Sequence, residues 1–159
     1  MAANLVMYEE EFHRINAVCD RLTKDANAKV VFLVDRNGQL ISAAGHTQNV
    51  DTTSLASLTA GNVAAMSGMA KLIGENEFPQ QFLKGTTYSL CLTLIGGRVV
   101  LVVIYDNRTS EGLVRLRLQK ASADLQHVFE ALAQRATVPG AGSPFAEISD
   151  SDIDNLFSE

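Results

Sequence analysis

Residues 29–44 read KVVFLVDRNGQLISAA, and this stretch decides the fold. Lys29 to Asp35 is a run of β-branched and aromatic residues of the length of one strand. Gln39 to Ala44 follows after Arg36-Asn37-Gly38, and Asn-Gly is the dipeptide that supplies positive φ angles to a tight hairpin turn. The two runs are therefore expected to pair antiparallel. Residues 86–105 repeat the signal: Thr86 to Ile95 and Arg98 to Tyr105 are strands joined at Gly96-Gly97. A shorter strand is expected within Phe78 to Leu83, with Pro79 confining it to a strand start or an edge.

Helices flank these hairpins. Tyr8, Phe12, Ile15, Cys19 and Leu22 are spaced by four, three, four and three, giving Tyr8 to Lys24 one apolar stripe. Thr109 or Ser110 caps a last helix with Val114, Leu118, Ala121, Leu125, Val128, Phe129 and Leu132 on its inner face. Between the hairpins, Asp51 or Thr52 caps a helix that ends near Gly74. The order is α-β-β-α-β-β-β-α, an α+β fold in which one antiparallel five-stranded sheet is sandwiched by helices.

The middle helix is unusual. Each interior glycine costs about 0.8–1 kcal/mol relative to alanine, yet LTAGNVAAMSGMA (58–70) carries two. A helical wheel is read with Leu55, Leu58, Met66, Met69, Leu72 and Ile73 toward the sheet. Ser57, Gly61, Ala64, Gly68 and Lys71 then form an outer face almost bare of long side chains. Such a face is expected where another backbone approaches closely, either a partner or a covering segment of the same chain; the alternative is a bare face that is simply tolerated.

Composition limits the function. The 159-residue chain has 47% hydrophobic and 19% charged residues and a net charge of −5. Residues 147–159 hold five acids and no Lys or Arg, so the remaining thirteen acids balance the thirteen Lys and Arg. A neutral body with an acidic tail argues against nucleic acid or an anionic membrane as the main partner. No secretory signal or membrane-spanning run is read, and a cytoplasmic location is expected. Cys19 and Cys91 are expected as two buried thiols, without a disulfide or metal. No phosphate loop, nucleophile elbow or zinc motif is present, and His13, His46 and His127 fall in different elements. Neither a catalytic residue nor a cofactor is expected. Arg108, Arg115 and Arg117 could in principle be supplied to a nucleotide-hydrolysing partner, but they read better as helix-surface charge.

The hairpins VVFLVDRNGQLISAAG and SLCLTLIGGRVVLVVIYD, the Ala/Gly-rich helix between them, LIGENEFPQQF and the tail SPFAEISDSDIDNLFSE together resemble the Roadblock/LC7 family, over essentially the whole chain. The resemblance implies a homodimer with joined sheets and central helices side by side. It is strongest to bacterial members that activate a Ras-like GTPase of cell polarity and motility (MglA-like), acting on its GTP-bound state. Such activators reshape the GTPase without inserting an arginine finger. Ser57, Ala60, Gly61, Ala64, Gly68 and Lys71 would then lie at the GTPase or dimer contact.

Residues 1–136 are read as the Roadblock/LC7-like domain, 137–146 as a flexible linker and 147–159 as an acidic amphipathic docking segment. In that segment Ser149 and Asp152 suit a helix start, and Ile153, Leu156 and Phe157 share a face. The resemblance implies that Ile148, Ile153, Leu156 and Phe157 bind the GTPase at a second surface linked to nucleotide exchange. It also implies enrichment at a cell pole. The other readings kept open are a PAS- or GAF-like small-molecule sensor and a passive dimeric scaffold.

Overall fold

The computed structural model describes residues 8–137. Its elements are α1 (Glu9–Asp25), β1 (Val30–Asp35), β2 (Leu40–Gly45), α2 (Thr52–Leu72), β3 (Gln80–Lys84), β4 (Ser89–Ile95), β5 (Val99–Tyr105) and α3 (Glu111–Thr137). They follow the order expected from the sequence. The five strands form one antiparallel sheet in the order β2-β1-β5-β4-β3. The linker after Thr137 and the segment 147–159, with Ile148, Ile153, Leu156 and Phe157, lie outside the described residues.

β1 and β5 pair from Val30↔Ile104 to Asp35↔Val99, in the middle of the sheet. Alternate residues of these strands supply two cores. Val31, Leu33, Leu101 and Val103 point toward α1 and α3, where Ile15, Cys19, Leu118, Leu125 and Leu132 meet them. Val30, Phe32, Val34, Val100 and Val102 point the other way, toward Ala56 and Val63 of α2. One sheet face thus carries two helices and the other carries one.

The first hairpin closes differently from the tight turn expected. Only Gly38 takes a positive φ (+92°), and Asn37 does not. The Gly38 amide donates to the Asp35 carbonyl, and the Asp35 amide donates to the Gln39 carbonyl. The Asp35 carboxylate accepts from the Asn37 and Gln39 amides at 2.9 and 3.0 Å. A register irregularity at Leu33/Val34 accompanies this longer loop. The Gly96-Gly97 turn does use positive φ at both residues, +60° and +70°.

The α1 stripe is also adjusted. Phe12 turns outward, whereas Glu11 is buried and accepts from the Arg135 guanidinium, which lies 3.2 Å from the centre of the Tyr8 ring. Burying a carboxylate requires a charged partner, and α3 supplies it. The α3 stripe is buried as expected, with Phe129 half-buried. The Ser110 hydroxyl accepts from the Leu113 amide at its start.

Two changes test this account. Phe32→Ala removes a fully buried ring and is expected to cost about 3–5 kcal/mol, read as a lower denaturant midpoint. At the start of α2, the Asp51 carboxylate accepts from the Ser54 hydroxyl and amide, which hold its carboxyl below the usual carboxylate range. A lowered folded pKa means that this contribution is present above the unfolded carboxyl's value and is lost as pH falls through the folded one. Asp51→Asn keeps a cap acceptor, so its thermal stability should vary less with pH in the acid range than that of the parent.

Candidate functional site

Two hairpin turns, β3 and a short loop hold α2 in place. Gly38, at the β1–β2 turn, rests on the helix: a Cβ added there would stand 3.3 Å from the Ser57 Cα and 3.6 Å from the Ala60 Cβ. Nearer the other end of the helix, Arg36 donates to the Gly97 carbonyl at 2.8 Å, to Glu77 at 2.5 Å and to the Ser67 hydroxyl at 3.3 Å. One guanidinium therefore ties both hairpin turns to α2 and to the loop that follows it. Asn62 reaches Gln81 of β3 at 3.0 Å.

The face that α2 turns to the sheet corrects the wheel reading. Its buried residues are Ala56, Thr59, Val63 and Ala70. Leu58, Met69, Leu72 and Ile73 point outward, Leu58 and Leu72 being 69% and 87% exposed. The reason is space. The sheet already presents Phe32 and a row of valines, so small residues let the helix backbone come close. The signal was available: at about 100° per residue, Leu58 and Leu72 fall within about 60° of Gly61, not opposite it.

The glycines lie on this outward side. A Cβ at Gly61 or Gly68 would meet nothing within 4 Å, and Ser57, Ala64 and Lys71 are exposed beside them. Ala60 is the exception, half-buried beneath the β1–β2 turn. The result is a broad surface of small residues flanked by large apolar ones. Close by, β3 pairs only with β4, and its other edge is open among the described residues.

No catalytic constellation accompanies this surface among the described residues. Both thiols are buried and free, and burial is the main cause pushing Cys19 up to about 11 and Cys91 up to about 12. Each is protonated at neutral pH and a poor nucleophile. No group of three or more His, Cys, Asp or Glu suited to a metal occurs among the described residues. The three arginines disperse. Arg108 donates to Asp106 in the β5–α3 loop, Arg115 stacks 4.3 Å from the Phe82 ring centre, and Arg117 sits on the far side, between α3 and α1. No described helix is long and apolar enough to cross a membrane.

The sequence profile of the Roadblock/LC7 domain matches residues 14–105, spanning both hairpins and the helix between them. The chain belongs to the Roadblock/LC7 family. Among solved structures, Myxococcus xanthus MglB is 77% identical, with a TM-score of 0.77 over 80% of this chain and 96% of that one. The gliding protein MglB from Thermus thermophilus is 28% identical, with a TM-score of 0.76 over 82% and 99%. An MglB with a tetrameric arrangement is 26% identical, with a TM-score of 0.77 over 82% and 98%. Comparison with curated protein sequences gave no match. This Roadblock/LC7 chain is thus similar to MglB over most of its length.

With no GTPase present, Gly61→Ala and Gly68→Ala are each expected to stabilise the protein by about 0.8–1 kcal/mol in denaturant unfolding. A loss instead would place a second backbone against these positions in the free protein. Gly45→Ala is expected to destabilise, because its φ is +92° and the new Cβ would collide with the Lys29 carbonyl oxygen.

Proposed function

We propose that this chain is a non-catalytic, homodimeric activator of a small Ras-like GTPase of the MglA kind, acting in bacterial cell polarity and gliding motility. The single observation that carries the reading is the 77% identity to MglB over four-fifths of the chain. The open, small-residue surface of α2 supports it independently. A GTPase approaches closely over Gly61, Ala64 and Gly68, with Ser57 and Lys71 beside them and Ala60 contributing at the edge.

The homodimer is supported by uneven covering of the sheet. On the α2 side Leu90, Leu94 and Ile104 remain only partly buried, and α2 exposes Leu58, Met69 and Leu72. A second copy, joined edge to edge and helix beside helix, covers such surface. The tetrameric arrangement of one MglB relative accords with association in this family.

Activation needs no group donated by this chain. The activator binds the hydrolysis-competent conformation of the GTPase more tightly than the resting one and shifts its population by that difference. The GTPase then supplies its own Arg and Gln. Residues 147–159, through Ile148, Ile153, Leu156 and Phe157, are assigned to a second GTPase surface and to assisted nucleotide exchange, with the protein concentrated at a cell pole. A small-molecule sensor needs convergent polar groups in a pocket, and no observation favours it over the MglB reading.

Single-turnover GTP hydrolysis by the cognate GTPase tests the proposal. GTPase activators raise such rates by about 10³–10⁵-fold, and a large acceleration is expected here. Gly68→Arg should abolish it while leaving the free protein folded, since nothing lies within 4 Å of that position. Binding without acceleration would leave a scaffold; no binding would reject the α2 surface. Deleting residues 147–159 should preserve the dimer and weaken GTPase binding, and unchanged affinity would reject the second surface.

A further inference from the structure

On the sheet face opposite α2, α1 and α3 run antiparallel, and a groove of about 480 Å³ opens between their outer sides. Ala17, Val18 and Val128 form its apolar floor. Arg14 and Arg21 of α1 and Lys120 of α3 line it, and Arg117 continues it toward the start of α3. Asp124 also lines it, and Asp25 stands beside Arg117 in the continuation. Asp124 already lies 3.6 Å from Lys120, whereas Arg14, Arg21 and Arg117 have no ion-pair partner among the described residues. His127 stands at the same rim.

Three unpaired arginines around an apolar strip call for an acidic amphipathic occupant, and the chain has one. Residues 147–159 carry five acids and no base, with Ile153, Leu156 and Phe157 among them. Reach also fits. α3 ends at Thr137, so Lys120 lies about 25 Å back along the helix at 1.5 Å per residue. The nine residues 138–146 span up to about 30 Å when extended. A tether of that length supplies the segment at roughly millimolar effective concentration, enough for a weak contact to form.

We propose that residues 147–159 dock in the α1–α3 groove of their own chain, acids against Arg14, Arg21 and Arg117 and apolar side chains on the Val18–Val128 strip. The docked segment is stored away from the α2 surface. If the segment also serves the GTPase, as proposed above, the groove competes for it; the docking itself does not depend on that role.

The test uses the full-length protein without GTPase. A nitroxide is attached to Ser158→Cys; Cys19 and Cys91 are fully buried with raised pKa values and do not compete for the label. Amide signals of residues 14–21 and 117–128 are expected to lose intensity, while those of α2 keep theirs. The combined Arg14→Glu, Arg21→Glu and Arg117→Glu variant should restore them. So should Asp150→Asn, Asp152→Asn and Asp154→Asn together, which leaves the body untouched. Broadening that is absent, centred on α2 or on the flank of α3 beside the Gly96-Gly97 turn, or insensitive to the tail variant overturns the proposal. Mixing spin-labelled chains with isotope-labelled ones checks the connection, and broadening passed between chains overturns the intramolecular assignment.

Discussion

The β1–β5 pairing is the constraint on which the rest depends. Val30 to Asp35 and Val99 to Tyr105 are buried almost throughout, so both faces of the sheet centre must be covered. The three described helices cannot cover two faces evenly. α1 and α3 together close one face, and α2 alone lies on the other. Burial is the dominant favourable term in folding, so a half-covered face is a standing tendency to associate. The open β3 edge, the outward leucines of α2 and the part-buried strand residues beside it all follow from that uneven layering.

α2 resolves two competing demands through residue size. Toward the sheet it carries Ala56, Thr59, Val63 and Ala70, because Phe32 and the valines leave room only for a close backbone. Toward solvent it carries glycine, alanine and serine, with large apolar residues at the margins. Neither face has the composition of an ordinary surface helix. A helix with little internal preference is held by its surroundings: the Asp51 cap, the Gly38 turn pressed on Ser57 and Ala60, and the Arg36 guanidinium.

The element order, both hairpins, the α3 stripe and the Asp51 cap were legible from local pattern alone, because β-branched runs, Asn-Gly and Gly-Gly pairs and 3.6-residue periodicity act over short range. What local pattern missed was set by tertiary partners. Glu11 is buried because Arg135, 124 residues away, neutralises it. Phe12, the next residue of α1, turns outward. The Asp35 carboxylate, accepting from the Asn37 and Gln39 amides, holds a longer loop in place of the tight turn with positive φ at both Asn37 and Gly38. For α2, the glycines correctly marked the open face, but assigning large residues to the sheet reversed Leu58 and Leu72. Size is a poor guide where the opposing surface is already full. The roles proposed for Ile148, Ile153, Leu156 and Phe157 rest on the sequence, since these residues fall outside the described ones.

The Glu11–Arg135 pair, capped by the Tyr8 ring, has a topological consequence. It brings the first turn of α1 against the last turns of α3, so the described chain begins and finishes at one corner of the fold. Joining those two points by a short bridge leaves every strand and helix in place. The Gly96-Gly97 turn is exposed, an added Cβ at Gly97 would meet nothing within 4 Å, and the Arg36 guanidinium reaches the Gly97 carbonyl from the neighbouring turn; new ends placed there keep every strand whole. A circular permutant built this way keeps the same sheet while reordering its synthesis, so the two halves of the β1–β5 pair would emerge in the opposite order.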